Sequence, residues 1–314
     1  MTSRHGRLDV GVVGAGRVGA VLGSALRAVG HRVVAVSASS EESLERADTL
    51  LHGVPVREVP DVAAAADLVL FTVPDDALGP LVTGLASLRA FRPGQLVVHT
   101  AGAYGCDVLG PAVEAGAIAL AIHPAMTFTG TSLDLARLTG CPFAVTAAAP
   151  MLPVAQALVV ELGGEPVVLE ESARVVYHAA LTHGANHLVT LVAQARRVLR
   201  ELGVEDPGAM LAPLLHAALD GALRSGEALL TGPVVRGDAG TVAAHVAALD
   251  RLAEDARNPD GPPGGGADED SPIRLDDVAA TYRHLAATTA RRSRALGKIS
   301  AADAARVLEA VRPS

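Results

Sequence analysis

The stretch Leu8-Asp9-Val10-Gly11-Val12-Val13-Gly14-Ala15-Gly16-Arg17-Val18-Gly19-Ala20-Val21-Leu22-Gly23 decides how the chain is read. Val10 to Val13 have the composition of a buried strand, and Val18, Val21, Leu22, Ala25, Leu26 and Val29 recur after it at helical spacing. Strand, tight turn and helix thus follow one another, with glycines at Gly14, Gly16 and Gly19. In such a turn the first glycine permits the sharp bend, the second lets a pyrophosphate approach the backbone, and the third allows helix and strand to pack closely. Free N–H groups at the helix start, with the positive end of its dipole, favour an anion there. A glycine turn alone is compatible with a structural role. The flanking strand and helix make Gly14, Ala15, Gly16, Arg17, Val18 and Gly19 the candidate dinucleotide loop.

Moving outward, the strand His31 to Val36 runs into Ser37-Ala38-Ser39-Ser40, where NAD-binding sheets usually carry an acid for the adenosine ribose hydroxyls. No acid stands there. Small hydroxyl residues leave room for a 2′-phosphate and Arg17 supplies positive charge, so Ser37, Ser39 and Ser40 are assigned to the cofactor and NADP is favoured over NAD. The competing reading has Ser37 to Ser40 only turning the chain and capping a helix that begins near Glu41. A fourth strand is expected at Asp67 to Val73, a fifth at Gln95 to Thr100 and a sixth at Ile118 to Ile122. Later strands are expected at Pro142 to Thr146 and Glu165 to Leu169, with a helix from Met151 to Leu162 between them. In a doubly wound sheet, ligands bind at the carboxyl ends of the strands, which puts Val73, Pro74, Asp75, Thr100 and Ala101 beside the cofactor. Pro74 as a strand stop and Asp75 as a helix cap would explain those two residues without a ligand.

Glu171 to Leu202 reads as one long helix closed by Gly203. His178, Thr182, Asn186 and Thr190 recur every four residues along it, which predicts a polar stripe on one face. Buried polar groups need partners, so the stripe points to a wet cleft, or else to an internal hydrogen-bond network. His183 and His187 have the spacing of two helical metal ligands, yet no Glu lies between them and no third ligand is suggested. No metal is expected. Helices follow at Pro207 to Leu230, Ala239 to Ala256, Leu275 to Leu296 and Ala301 to Val311, with Asp238 placed to cap the second of them. Arg236, just before that cap, is either an exposed loop charge or a clamp for a substrate carboxylate. The expected architecture is α/β: a doubly wound Rossmann-like, NAD(P)-binding domain over residues 1–170, then an all-α domain over 171–314 with a mobile, Pro/Gly/acid-rich loop at 257–272.

Composition narrows the partners. A length of 314 residues accommodates two domains, and 50% hydrophobic content supplies their cores. Asp67 interrupts the longest apolar stretch well short of a membrane span, and the N-terminus lacks a secretion pattern, so a soluble, globular protein with no membrane partner is expected. A net charge of -8 and 2% aromatic residues speak against nucleic-acid binding. The two cysteines, Cys106 and Cys141, have no metal-ligand spacing and suggest a reducing cytoplasm, with a bridge between them left open.

Several motifs together carry a family resemblance: Gly14 to Gly19, Val73-Pro74-Asp75, His99-Thr100-Ala101-Gly102, His123-Pro124 with Thr127-Phe128, Tyr177-His178-Ala179-Ala180 with Asn186, and Thr231-Gly232-Pro233 through Arg236-Gly237-Asp238 to His245. The chain resembles two-domain Rossmann-like oxidoreductase homologues whose C-terminal helical domain was long classed as of unknown function. That family is similar in architecture to pyrroline-5-carboxylate reductases and 6-phosphogluconate dehydrogenase-like enzymes, and some members serve as an alternative ketopantoate reductase. The resemblance implies NADPH-dependent reduction of a small keto acid and a homodimer packed through the helical domains. One departure is His216-Ala217-Ala218-Leu219-Asp220-Gly221, where the pattern calls for an Asn near Asp220.

Ketone reduction needs a hydride and a proton for the developing alkoxide. The only Lys, Lys298, stands outside every motif, and Tyr177 is followed four residues later by Leu181, so neither a helix-borne Lys nor a Tyr-x-x-x-Lys pair is present. His178 ranks first as proton donor and His123 second, with His183 behind them. Asn186 is assigned to polarise the substrate oxygen and Arg236 to hold its carboxylate. Each histidine also has a structural reading, His178 as a hydrogen-bonded core residue and His123 as the orienter of its own loop. The expected function is an NADP-dependent reductase of a small 2-oxo acid such as ketopantoate. Cyclic-imine reduction and a non-catalytic dinucleotide-binding sensor or scaffold stand as alternatives.

Overall fold

Buried apolar residues alternate between the two faces of one sheet, and this alternation builds the first half of the chain. In the computed structural model, which describes residues 6–256 and 275–313, seven strands form that sheet. They are β1 (Asp9–Val13), β2 (Arg32–Ser37), β3 (Leu68–Phe71), β4 (Leu96–His99), β5 (Ile118–Pro124), β6 (Pro142–Ala147) and β7 (Glu165–Val168), in the order β2-β1-β3-β4-β5-β6-β7. Helices α1 (Arg17–Ala28), α2 (Glu41–Leu50), α3 (Val59–Ala65), α4 (Asp75–Ser87), α5 (Gly110–Glu114), α6 (Leu133–Arg137) and α7 (Leu152–Glu161) connect them. Val10, Val12, Leu68, Leu70 and Val98 pack with α1 and α7 on one face. Val13, Val69, Phe71 and Val97 pack with α3, α4 and α5 on the other. Period-two burial with helices on both faces is the doubly wound arrangement expected.

One pairing departs from the parallel rule. β5 and β6 run antiparallel, with His123 opposite Ala144 and Pro124 opposite Phe143. The connection 125–141 therefore leaves and re-enters the sheet at the same edge, the carboxyl edge of β5. Asp134, whose side chain is wholly buried, tightens this connection: its carboxylate accepts from Thr129 N (2.7 Å), Gly130 N (2.8 Å) and Thr129 Oγ1 (3.0 Å) and pairs with Arg137 (3.3 Å).

Several expectations need correction. The strand expected as the fourth is the third, because the chain between β2 and β3 contributes only one isolated bridge, Val36 to Val56. The strand expected to stop at Ile122 continues through His123 and Pro124, since the antiparallel partner β6 pairs with both. The helix expected from Glu171 to Leu202 is composite: a short tight turn at Glu171–Ala173, α8 (Arg174–Leu181), a wider π turn at Thr182–Asn186 and α9 (His187–Glu201). A π turn holds more residues per turn than an α-helix, so four-residue spacing stops marking one face, and the stripe of His178, Thr182, Asn186 and Thr190 is broken. Asn186 and Thr190 are exposed. The helix expected to reach Leu230 ends at Ser225, followed by a tight turn to Leu229. Cys106 and Cys141 are both free thiols. The segment 257–272, expected as a mobile loop, lies outside the described residues.

The chain divides into two compact units, Met1–Gly184 and Ala185–Ser314. The second contains α9, α10 (Pro207–Ser225), α11 (Ala239–Asp255), α12 (Asp276–Ala295) and α13 (Ala301–Ala310). Val234, Val242, Val246, Ala286, Ala290 and Val307 form its core. Asp238 caps α11 by accepting from Thr241 N at 3.0 Å, as its position suggested. Among the described residues no helix is long and apolar enough to cross a membrane.

Candidate active site and cofactor cradle

The three glycines of the loop occupy three different physical situations. Gly14 has φ +98°, a backbone state that L side chains rarely adopt. A Cβ on Gly16 would meet nothing within 4 Å, so its backbone faces open space. A Cβ on Gly19 would run into the Gly14 carbonyl and Thr72 Oγ1. The loop is further braced from both neighbouring strands. Ala15 N donates to Ser37 O (2.9 Å), Gly14 N to Ser37 Oγ (3.0 Å), and Thr72 Oγ1 to Gly14 O (2.6 Å). Gly16 is the N-cap of α1 and provides no side-chain cap, which leaves N–H groups of the first turn aimed at the open side of the loop. A bent turn, an open second glycine and a packed third glycine fit a pyrophosphate.

The other assigned cofactor residues stand at the carboxyl ends of β2, β3 and β4. Ser37 is buried with its hydroxyl on the loop, and Ser40 forms a reciprocal cap with Ser43 (Ser43 N to Ser40 Oγ, 3.2 Å), so the capping reading of that residue is realised. Ser39 and Arg17 are exposed, and Val18, the second residue of α1, is half-buried. Val73 abuts Gly14, Pro74 is the N-cap of α4, and Asp75 is its first residue without a side-chain cap bond. Thr100 N donates to Phe71 O (3.2 Å) and Ala101 N to His99 Nδ1 (3.1 Å). His99, 0% exposed, holds the Gly105 carbonyl at 2.7 Å through Nε2, and burial lowers its pKa to about 4. A neutral imidazole with Nε2 protonated satisfies both bonds.

Past β4 and β5 the first unit gathers a cluster of titratable side chains. His123 Nδ1 lies 2.9 Å from the Tyr177 hydroxyl, and the His123 and His178 rings stand edge to face with centroids 6.0 Å apart. Both imidazoles reach across Gly102, where a Cβ would lie 2.6 Å from His178 Cδ2 and 3.0 Å from His123 Nε2. Burial, with His178, Arg174 and His99 nearby, pushes the His123 pKa down to about 4, so its ring is neutral at physiological pH. Asp75 joins from the start of α4: burial raises its pKa, and the charge of His178 opposes that rise. Burial raises the Tyr177 pKa as well, so the phenol keeps its proton.

Arg174 fixes this cluster to the sheet. Its buried guanidinium donates to Thr146 Oγ1 (2.8 Å), Ala121 O (2.7 Å) and Ala144 O (3.2 Å), bridging β5 and β6. One turn earlier, Glu171 accepts from Cys106 N at 2.7 Å and holds the loop after β4. Arg174, Tyr177 and His178 are related as i, i+3 and i+4, so one face of α8 carries the anchor and both cluster members. Sequence reasoning left Arg174 and Glu171 unassigned and gave Tyr177 no chemical role. The i, i+3, i+4 spacing from Arg174 was the available signal.

Of the residues assigned to chemistry, His178 and His123 come together in the first unit. Asn186 and Arg236 belong to the second. Arg236 is exposed, its N–H bonded to Gly232 O (3.1 Å), and its charge helps to lower the pKa of Asp238 after the Thr241 hydrogen bonds. Among the described residues, no group of three or more His, Cys, Asp or Glu side chains is arranged to hold a metal ion.

Comparison with known proteins matches this organisation. No curated protein matches the sequence. Among solved structures, a candidate NADP oxidoreductase from Bacteroides fragilis superposes with a TM-score of 0.68 at 20% identity, over 90% of this chain and 98% of that one. An imine reductase from a Pseudomonas species gives 0.60 at 16% identity, over 98% of this chain and 100% of that one. A Plasmodium falciparum pyrroline carboxylate reductase with NADP bound gives 0.52 at 10% identity, over 97% and 98%. Residues 2–124 match the model of the Rossmann-like domain and residues 141–258 that of the Domain of unknown function (DUF2520).

Proposed function

We propose that the protein is an NADP-dependent reductase of a small molecule with a polar double bond, acting in the cytoplasm on a 2-oxo acid such as ketopantoate. The observation that carries this reading is the pairing, within one sheet, of an open glycine loop after β1 with the Tyr177–His123–His178 cluster beyond β4 and β5. A bound reduced nicotinamide would supply the hydride. His178, beside His123 at the carboxyl edge of the sheet, donates the proton to the developing alkoxide. Neutral His123 holds Tyr177 in place, and with Nδ1 protonated it leaves the phenol hydrogen free for the substrate oxygen. Asn186 and Arg236, assigned from the sequence to a substrate oxygen and carboxylate, are both exposed in the second unit.

A second reading, reduction of a cyclic imine, draws on the imine reductase and pyrroline carboxylate reductase among the similar folds. The same proton donor would serve a C=N nitrogen. Steady-state assays with NADPH and ketopantoate, and in parallel with a cyclic imine, separate the two. Silence with both, in a protein that still binds NADPH, favours the non-catalytic sensor or scaffold. For the reductase, His178→Gln is expected to lower kcat about 100-fold and Tyr177→Phe about tenfold, with NADPH affinity unchanged. Unchanged kcat in both variants would remove the cluster from the chemistry.

The proposal includes a homodimer through the helical unit. Val189, Met210, Leu214 and Leu223 on α9 and α10 are between 62% and 78% exposed, a concentration of bare apolar side chains that an isolated chain does not favour. The same unit has an apolar groove of about 720 Å³ lined by Leu191, Val198, Leu211, Val234 and Leu285. A second copy supplies both ridge and groove, as closed two-fold symmetry requires. Sedimentation velocity at micromolar concentration is expected to show a dimer, and Leu214→Glu with Leu223→Glu to shift it to monomer.

A further inference from the structure

Arg46, in the middle of α2, has its Nε buried with no hydrogen-bond partner. A buried guanidinium N–H without an acceptor is costly, and the group invites an explanation. Its stem approaches Arg17, the first residue of α1 and part of the glycine loop. A Cβ on Gly130 would lie 3.0 Å from Arg46 Cδ, 3.0 Å from Arg17 Cγ and 3.2 Å from Arg17 Cα. Gly130 has φ +81° and sits in the connection that the antiparallel turn from β5 to β6 brings to this edge of the sheet. Asp134 fixes Gly130 there through its N–H, but spends its buried carboxylate on that connection and on Arg137. Neither Arg17 nor Arg46 forms an ion pair among the described residues. Glu42, one turn before Arg46, is exposed and feels its charge without pairing with it.

Two like-charged stems are thus brought against one glycine, with neither paired to an acid among the described residues, and α2, which carries Arg46, follows directly on the end of β2. The serines at that end are occupied locally: Ser37 accepts from the glycine loop and Ser40 caps α2. We infer that Arg46, together with Arg17, binds a phosphomonoester on the adenosine ribose, so that Arg46 is the residue that selects NADPH over NADH. The inference rests on the dinucleotide reading and deepens it. Charge on the ligand compensates charge on the protein, and the unpartnered Nε gains an acceptor. Gly130 matters because any side chain there would push the two stems apart.

The test is a fluorescence titration of wild type, Arg46→Ala and Arg46→Lys with NADPH and with NADH. Wild type is expected to bind NADPH at least tenfold more tightly than NADH. Arg46→Ala should lose at least tenfold in NADPH affinity with NADH changed less than twofold, and Arg46→Lys should recover part of the loss. If NADPH binds but the NADPH-to-NADH ratio is the same in Arg46→Ala, the inference is overturned while the dinucleotide reading stands. If wild type binds neither nucleotide, both fall. Competition on the wild-type protein avoids any folding defect of the variants: adenosine 2′,5′-bisphosphate is expected to displace NADPH at least tenfold more effectively than adenosine 5′-monophosphate. Equal displacement overturns the proposal.

Discussion

Gly19→Val is expected to abolish NADPH binding and to lower the melting temperature of the protein by about 5 °C. The side chain would have to occupy the place of the Gly14 carbonyl and Thr72 Oγ1, which are themselves hydrogen-bonded at 2.6 Å. Relief requires separating α1 from the end of β3, an overpacking cost of about 3 kcal/mol, which for a chain of this size corresponds to that shift. Gly16→Ala is the informative contrast. Its added methyl meets nothing within 4 Å in the protein, so the melting temperature should stay within a degree or two. NADPH affinity should nevertheless fall more than tenfold, because the methyl would stand where a pyrophosphate approaches. Calorimetry and nucleotide titration on the two variants read stability and binding separately. Full NADPH affinity in Gly16→Ala would dissociate the loop from the cofactor.

Acidification is the second large effect. His99 and His123 have pKa values lowered from 6.5 to about 4, chiefly by burial, so both are neutral in the fold while an unfolded chain would protonate them. Their contribution is complete above pH 6.5 and is lost as the pH falls toward 4, because the unfolded state then binds protons that the folded state refuses. The difference corresponds to about 3 kcal/mol for each histidine. For His99 a local effect adds to burial: protonation would turn Nδ1, which accepts from Ala101 N, into a donor facing a donor. Urea unfolding at pH 7, 5.5 and 4.5 should show the decline, and His99→Gln should flatten it. An equally steep decline in the variant would assign the effect to other groups.

Much of the sheet was legible because local and global signals agree there. Val10, Val12 and Val13 alternate between the two faces, and the glycine spacing serves turn, ligand and packing in turn. The antiparallel entry of β6 was not legible, since a short apolar strand reads the same in either direction. For the same reason the approach of Gly130 to Arg17 and Arg46 had no sequence signal: it joins residues more than eighty positions apart. The π turn at Thr182–Asn186 was equally hidden, because the apolar and polar periodicity around it fits an unbroken α-helix. Within the site, His123 and His178 stood out by residue type and neighbouring motif. Arg174 did not, because a charged residue at the start of a helix reads as surface until the sheet buries it.

That burial bears on where the module really ends. The last strand, β7, stops at Val168, and a gene fragment cut just after it would look like a complete nucleotide-binding domain. Such a cut would remove Glu171, which holds the loop after β4, and Arg174, which staples β5 to β6. Tyr177 and His178 would go with them. The heritable building block is therefore the sheet with its trailing helix through Gly184, and recombination that exchanges helical modules preserves the site only when the crossover falls beyond that helix.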